Sequence, residues 1–182
     1  DLVSGERVLL KETPVLGGYD RTQYTTERRW ATSTDGTKVP MSVLRRNDTP
    51  LDSSAPLLLY GYGSYGAKLD PWFSSTRLSL INRGVILVIC HPRGGGEMGR
   101  FWYEEQGKYL TKRNTFSDFV ACAEHLVDKG FTTPVLRRCI CRGGKWMFGV
   151  GPTPLPHFGW WTAQCRDGPT AAEGGFKDMG FC

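Results

Sequence analysis

The architecture follows from one stretch, Pro56-Leu57-Leu58-Leu59-Tyr60-Gly61-Tyr62-Gly63, and from a second apolar run at residues 84–90. Residues 56–60 and residues 84–90 are apolar almost without interruption. Unbroken apolar runs of this length are typical of strands that are buried on both faces, as in parallel sheets covered by helices. We therefore predict that both runs are central strands of such a sheet.

Helical patterns lie between and after these strands. Residues 74–83 can form a short helix that ends at Gly84, and Asn114 or Thr115 can cap a second helix that ends at Gly130. The second helix carries apolar residues at helical spacing: Phe116, Phe119, Val120, Ala123, Leu126 and Val127. Alternation of strand and helix predicts an α/β fold.

A hairpin is expected upstream, between residues 24 and 43. Two strand-like runs flank Asp35-Gly36, and Asp-Gly is a strong hairpin signal because both central positions of that turn favour positive φ. Before the hairpin, Val8-Leu9-Leu10 indicates a short strand that closes into a turn at Gly17-Gly18.

The composition is that of a globular protein and favours neither a nucleic-acid nor a membrane partner. The 182 residues are 40% hydrophobic and 23% charged, with a formal net charge of +5. Basic pairs such as Arg45-Arg46 and Arg137-Arg138 are scattered, whereas nucleic-acid binders usually gather them on one face. No run approaches the roughly 20 apolar residues that span a bilayer, and the N-terminus lacks a signal-peptide core. We expect a cytoplasmic protein and, because the chain starts at Asp1 rather than Met, a piece of a longer one.

The six cysteines are expected to be free thiols, because nothing indicates the secretory context that favours disulfides. A group of four residues in the C-terminal part could ligate a metal: Cys139, Cys141, His157 and Cys165. A lone Cys-x-Cys, however, lacks the paired spacings of structural zinc sites. We therefore expect neither a metal nor another cofactor.

Four motifs, in order, resemble the prolyl oligopeptidase family of serine peptidases. They are residues 56–66, the glycine run Arg93-Gly94-Gly95-Gly96-Glu97-Met98-Gly99-Arg100, the motif Trp102-Tyr103-Glu104, and residues 108–116. The resemblance runs from about residue 5 to 134 and is greatest to the branch of the family that cleaves after basic residues. It implies that residues 1–18 end a β-propeller and that residues 19–138 are the N-terminal part of an α/β-hydrolase peptidase domain. The propeller body and the second half of that domain would then be missing from this chain.

The resemblance also implies a chemistry and a set of site residues. The family carries out Ser-His-Asp acyl transfer, and this branch cuts short peptides after Arg or Lys. Tyr62 matches the tyrosine that donates its phenolic O–H to the oxyanion. Asp70 matches the first of two acidic residues that attract a basic side chain, but Trp72 stands at the second position. Tyr65 is expected to line the same cleft.

The glycine run has an alternative interpretation, because Gly94, Gly96 and Gly99 also satisfy the spacing of a dinucleotide-binding loop. Glu97 lies inside that loop, and two more carboxylates follow at Glu104 and Glu105. These charges would repel a pyrophosphate at a helix N-terminus. A tight loop near the cleft, with glycines that permit unusual backbone angles, is the favoured interpretation.

The sequence departs from the family after residue 134. A strand followed by a Gly-x-Ser-x-Gly nucleophile elbow is expected there, but the chain reads Cys139-Ile140-Cys141-Arg142-Gly143-Gly144, and no serine occurs after Ser117. We interpret residues 139–182 as an aberrant, irregular tail produced by a frameshift, and the chain as inactive. His157 then has no nucleophile to serve, and His91 and His125 are expected to be structural. The alternative is a non-catalytic module that binds peptides or a partner on the same scaffold.

Overall fold

The computed structural model describes residues 1–134, 137–141 and 146–149. The six strands within these residues are β1 (Tyr24–Thr32), β2 (Lys38–Arg46), β3 (Leu57–Gly61), β4 (Ile86–Cys90), β5 (Arg137–Cys141) and β6 (Trp146–Gly149). The helices are α1 (Ser75–Ile81), α2 (Phe101–Glu104) and α3 (Arg113–Asp128). Two short 3₁₀ turns lie at Arg21–Gln23 and Tyr109–Thr111.

The strands form one mixed sheet in the order β1-β2-β4-β3-β5-β6. The three central strands are parallel, because β3 pairs in parallel with both β4 and β5. The hairpin β1-β2 joins β4 antiparallel at one side, and β6 joins β5 antiparallel at the other. The prediction of parallel central strands from the two apolar runs is confirmed.

Both faces of the central strand β4 are covered, since all five of its residues are buried. Ile86, Val88 and Cys90 belong to the main core with Phe119, Cys122 and Leu126 of α3. Leu87 and Ile89 point to the other face, since side chains alternate along a strand, and they are only 5% and 4% exposed. The buried α1 residues Leu78 and Ile81 lie outside the α3 cluster.

The hairpin lies where the sequence predicts it, but its turn is longer than a two-residue Asp-Gly turn. Residues 33–37 connect the strands, and Ser33 N–H donates to the Thr37 carbonyl at 2.8 Å. Within this turn Gly36 has a positive φ of 85° and Asp35 does not. The prediction of positive φ at both positions is wrong, because the five-residue connection needs only one left-handed residue.

Helix α3 starts one residue before Asn114 and two before Thr115, so neither residue is the cap. Lys112 occupies that position without a side-chain hydrogen bond. The most buried face of α3 includes Thr115, Asp118 and Cys122. By contrast, Phe116, Val120 and Val127 of the predicted apolar face are only half-buried. The buried face therefore carries polar groups that an apolar pattern does not reveal.

The predicted strand at Val8-Leu9-Leu10 is not formed, since residues 1–20 contain neither helix nor strand. Leu9 and Leu10 are 76% and 91% exposed. A strand is stable only when its N–H and C=O groups pair with a neighbour, and no described strand pairs with this segment. Its place at the end of a β-propeller stays a prediction.

The expectation of an irregular tail from residue 139 onward is wrong where the structure describes the backbone. Strand β5 crosses the predicted boundary at residue 138, and β6 follows at Trp146–Gly149. Strand β5 extends the ladder of β3 through main-chain pairing, which requires no particular side-chain pattern. Residues 150–182 lie outside the described residues. In the described part, no helix combines the length and apolarity that crossing a membrane requires.

Candidate active site

The candidate site lies at the carboxyl ends of the parallel strands, the usual place for ligands in open α/β sheets. Tyr62 is the first residue after β3 and is half-buried. It begins a long connection, residues 62–74, that leads to α1. The preceding residue is Gly61, where a side chain has no space, since a Cβ would lie 2.8 Å from Cε2 of Phe119. Strand β3 can therefore pack directly on α3, and Tyr62 lies at the carboxyl end of that strand.

The glycine loop, residues 91–100 after β4, packs main chain against main chain on the first part of the 62–74 connection, which we call the Tyr62 loop. Gly66 N–H donates to the Gly94 carbonyl at 3.0 Å. A Cβ on Gly94 would lie 2.1 Å from the Gly63 carbonyl oxygen, and Gly94 has a φ of 104°. Only glycine satisfies both conditions. The prediction of a tight loop whose glycines adopt unusual backbone angles is confirmed, and its place beside a cleft stays a prediction.

The geometry does not favour the dinucleotide interpretation of the same loop. The helix that follows, α2, has only four residues. The Glu97 carboxylate is turned into the fold, where its Oε1 accepts from Leu69 N–H at 3.0 Å and lies 3.5 Å from Nδ1 of His91. Burial raises the pKa of the Glu97 carboxyl, but the hydrogen bonds with His91 and Leu69 outweigh burial and hold the pKa below its usual value.

Two side chains at the start of α3 fix the carbonyl of Gly63. Lys112 Nζ donates to the Gly63 carbonyl and, at 2.7 Å, to Ser64 Oγ. Thr115 Oγ1 lies 2.5 Å from the Arg93 carbonyl and 3.3 Å from that of Gly63. The Gly63–Ser64 peptide is thus held from α3 and from the glycine loop together.

A buried ion network anchors the glycine loop. The Arg93 side chain is 4% exposed, and its Nε and Nη2 donate to the two carboxylate oxygens of Asp118 at 2.9 and 2.7 Å. Its Nη1 donates to Asp35 in the hairpin turn at 2.5 Å. This hydrogen bond lowers the pKa of Asp35 from 3.8 to about 2. Burial alone would lower the pKa of Arg93, but the hydrogen bonds that it donates to the Asp118 and Asp35 carboxylates raise the pKa above its usual value.

Tyr65, Asp70 and Trp72 lie on the outer part of the connection that Tyr62 begins. Tyr65 is 71% exposed and has a φ of 57°. Asp70 is exposed, and its carbonyl accepts from Trp72 N–H at 2.8 Å. Trp72 is 74% exposed. The structure therefore places the three predicted site residues, Tyr62, Tyr65 and Asp70, on one connection, with the last two open to solvent.

The histidines and cysteines are placed as follows. His91 is buried directly after β4, and His125 is half-buried in α3. Burial first, and then the charges of nearby basic residues, hold the pKa of His125 below its usual value. Cys90 and Cys122 are free thiols, as predicted, with their sulfurs 3.1 Å apart. His157, Cys165 and the side chains of Cys139 and Cys141 lie outside the described residues.

The sequence of the described domain matches one family of enzymes. Residues 71–144 match the profile of the prolyl oligopeptidase family. This chain belongs to the prolyl oligopeptidase family. Members of this family are serine peptidases. The match extends to residue 144, beyond residue 138, where the sequence analysis places the end of the domain.

Relatives of the oligopeptidase B type are among the most similar proteins. Protease 2 from Moraxella lacunata is 47% identical over 145 residues, which are 80% of this chain and 21% of that protein. Dipeptidyl aminopeptidase BI from Pseudoxanthomonas mexicana is 50% identical over 129 residues, or 70% of this chain and 18% of that protein. The chain thus spans about a fifth of the length of these curated relatives.

Solved structures of the prolyl oligopeptidase family show the same fold. Oligopeptidase B from Trypanosoma brucei, in a closed form with covalently bound antipain, is 52% identical with a TM-score of 0.73. The alignment covers 78% of this chain and 20% of that one. Oligopeptidase B from Leishmania major is also 52% identical, with a TM-score of 0.67, and 69% of this chain and 17% of that one are covered.

The sequence analysis does not identify the α3 residues that hold the glycine loop in place. Asp118 and Thr115 lie on the buried face of α3 beside Phe119. A carboxylate at a core-facing helical position is rarely buried without a partner. The position of Asp118 among the apolar residues of α3 therefore indicates that it has a buried cationic partner. Nothing in the sequence identifies that partner as Arg93, 25 residues away.

Proposed function

We propose that this chain carries the oxyanion-binding part of an oligopeptidase B-like serine peptidase that cleaves short peptides after Arg or Lys. The observation that supports the proposal is the position of Tyr62 directly after β3, in a loop that is held by Lys112 and by the glycine loop. A donor aimed at developing negative charge is effective only when it is held in place before the reaction.

In the proposed reaction, a serine supplied by an intact peptidase domain attacks the peptide carbonyl, and the oxyanion accepts a hydrogen bond from the Tyr62 phenol. The fixed Gly63 carbonyl and the buried Arg93 network keep the loop from shifting as charge develops. Removal of one such donor typically lowers turnover by about 10²–10³-fold.

Asp70 is proposed to attract the basic side chain of the substrate, with Tyr65 beside it along the cleft. The exposed Asp70 carboxylate is open to a guanidinium or ammonium group. Exposed ion pairs contribute little by themselves, and Trp72 replaces the second acid of the expected pair. We therefore propose weak selection by Asp70, assisted by packing of the apolar part of an Arg side chain on Trp72.

The chain by itself is proposed to be inactive. An elbow serine would follow β5, but Arg142-Gly143-Gly144-Lys145 stands there. The proposed cause is a frameshift. Translation of the coding DNA for residues 137–145 in the other two frames should then restore a Gly-x-Ser-x-Gly sequence, and its absence from both frames would refute this explanation.

The second candidate function is a binding module, because the Tyr62 loop keeps its supporting contacts without the nucleophile. The test is to incubate the purified chain with a short fluorogenic peptide that carries Arg before the reporter. We expect no hydrolysis. Peptide binding that is weakened by Asp70→Asn would favour the module, and hydrolysis by the chain free of other proteases would overturn the proposal of inactivity.

A further inference from the structure

A line of three polar side chains runs from the glycine loop across the sheet to β2. Nε2 of His91 lies 3.0 Å from Oγ of Ser42. On the other side of the ring, Nδ1 of His91 lies 3.5 Å from Oε1 of Glu97. The side chains of His91 and Glu97 are 2% and 7% exposed, whereas Ser42 is only half-buried. The line therefore leads from buried groups to an accessible hydroxyl.

A neighbouring cation determines how the protons along this line are arranged. Arg28 Nη1 donates to Ser42 Oγ at 2.9 Å, and a guanidinium can only donate. The Ser42 hydroxyl accepts that bond and can therefore donate its own proton to His91 Nε2. An imidazole that accepts at Nε2 carries its hydrogen on Nδ1, which faces the Glu97 carboxylate. This is the arrangement of a hydroxyl, a base and an orienting acid.

The hydroxyl opens into a cavity of about 330 Å³ between the hairpin and the segment before α1. Ser42 and the two cations Arg28 and Arg77 line it together with the apolar side chains of Trp72, Leu87 and Ile89. Among the described residues, neither Arg28 nor Arg77 is in an ion pair. An apolar cavity of a few hundred Å³ with a few polar groups is typical of a small-molecule site.

We propose that Ser42 is a nucleophile that accepts acyl groups from small activated esters of apolar acids, at a site whose nucleophile and base lie outside the Tyr62 connection. Leu87, Ile89 and Trp72 receive the acyl chain, and the guanidinium of Arg28 faces the oxyanion. His91 is the base and Glu97 a positioning residue that orients the ring.

The chemical step balances within these groups. Ser42 Oγ forms a bond to the acyl carbon while its proton passes to His91 Nε2. The bond from the acyl carbon to the leaving oxygen then breaks, and the leaving alcohol or phenol takes up that proton. The products are acyl-Ser42 and the free alcohol, with no oxidant or metal required.

The experiment uses the full chain and two probes, p-nitrophenyl butyrate and an alkyl fluorophosphonate. We expect a burst of about one equivalent of nitrophenolate and one label per chain, located at Ser42 by mass spectrometry of the digested protein. Ser42→Ala should abolish both signals, and Ser79→Ala, on the exposed surface of α1, should change neither. Chain denatured in urea should not react at Ser42.

Two further variants separate the proposed roles from a purely structural one. His91→Gln should lower the rate of acylation by about 10²-fold or more, the usual contribution of a general base. Glu97→Gln, which keeps an oxygen for Leu69 N–H, should lower the rate by about tenfold with little change in the burst amplitude. The far-UV circular dichroism of each variant monitors its fold.

Three results would overturn the proposal. They are the absence of a label on chain whose circular dichroism shows that it is folded, a label on a residue other than Ser42, and an undiminished burst in Ser42→Ala. Peptide hydrolysis by the chain bears only on the Tyr62 site. A label at Ser42 without peptide hydrolysis would support the Ser42 proposal and leave the proposed peptidase function unchanged.

Discussion

Arg93 and Asp118 form a bidentate ion pair that is closed off from water, at 2.9 and 2.7 Å, with side-chain exposures of 4% and 0%. The same carboxylate accepts the main-chain N–H of Arg93 at 2.9 Å. One side chain on α3 therefore fixes both the backbone and the guanidinium of the residue that opens the glycine loop. The pair connects the helix to the loop that supports Tyr62.

We expect Asp118→Asn to destabilise the fold strongly, because it leaves the Arg93 charge buried with only its Asp35 partner. Breaking a buried pair typically costs about 3–5 kcal/mol. Urea unfolding followed by circular dichroism measures the change. Glu104→Gln is the matched control, since it breaks the exposed Arg100–Glu104 pair on α2, and it should have little effect. Equal effects of the two substitutions would contradict the assigned role of Asp118.

The low pKa of Asp35, about 2 against a usual 3.8, predicts a loss of stability in acid. A carboxyl group with a lowered folded pKa stabilises the fold above its unfolded pKa, and this stabilisation is lost as pH falls through the folded value. We expect the melting temperature to fall between about pH 4 and pH 2. The lowered pKa of Glu97 acts in the same direction.

Asp35→Asn checks the assignment of this acid dependence. The variant should be less stable than the parent at neutral pH and should lose less stability on acidification. Asp52→Asn is the control, because the exposed Asp52 carboxylate accepts hydrogen bonds from Ser54, two residues away. A parent and an Asp35→Asn variant with parallel pH profiles would show that the Arg93–Asp35 bond contributes nothing.

Gly94→Ala should be more damaging than Gly84→Ala, although both residues have positive φ. A Cβ at Gly94 would meet the Gly63 carbonyl oxygen at 2.1 Å, whereas a Cβ at Gly84 has no atom within 4 Å. Gly84→Ala adds only backbone strain, of order 1 kcal/mol. Gly94→Ala adds the displacement of the Tyr62 loop to a similar strain. Unfolding curves of the two variants should differ clearly, and similar curves would show that the loops are not in close contact.

Tyr62→Phe tests the proposed oxyanion role in a full-length enzyme that contains this segment and an intact nucleophile elbow. We expect kcat to fall by about 10²–10³-fold with little change in KM, because the phenol is proposed to act only in the transition state. Tyr109→Phe, at an exposed tyrosine of the second 3₁₀ turn, is the control. A small effect of Tyr62→Phe would remove this tyrosine from the oxyanion site.

The fold could be predicted from the sequence where short-range patterns determine it. The two apolar runs predict the parallel strands, and the segments before Gly84 and Gly130 predict α1 and α3. The predicted strand at residues 8–10 failed because a strand depends on a partner. Strand β5 lies where a strand is expected after residue 134, and it pairs with β3 through main-chain groups. Strand β6 was not predicted, because it lies in a segment that was interpreted as irregular.

The candidate site was predictable only in part, for a related reason. Tyr62, Tyr65 and Asp70 were identified by their place in a family motif, and their roles stay predictions. The supporting contacts join residues far apart in the chain, 25 positions for Arg93 and Asp118 and 49 for Lys112 and Gly63. Local patterns carry no information about such pairings.

Main chain is stacked on main chain beneath Tyr62. A Cβ at Gly107 would lie 2.0 Å from Gly94 N, just as a Cβ at Gly94 would meet the Gly63 carbonyl. None of these three layers has volume for a side chain. If Tyr65 and Asp70 have the proposed roles, changes in substrate preference should arise at these outward-facing positions rather than at the glycines beneath them, where a Cβ has no space.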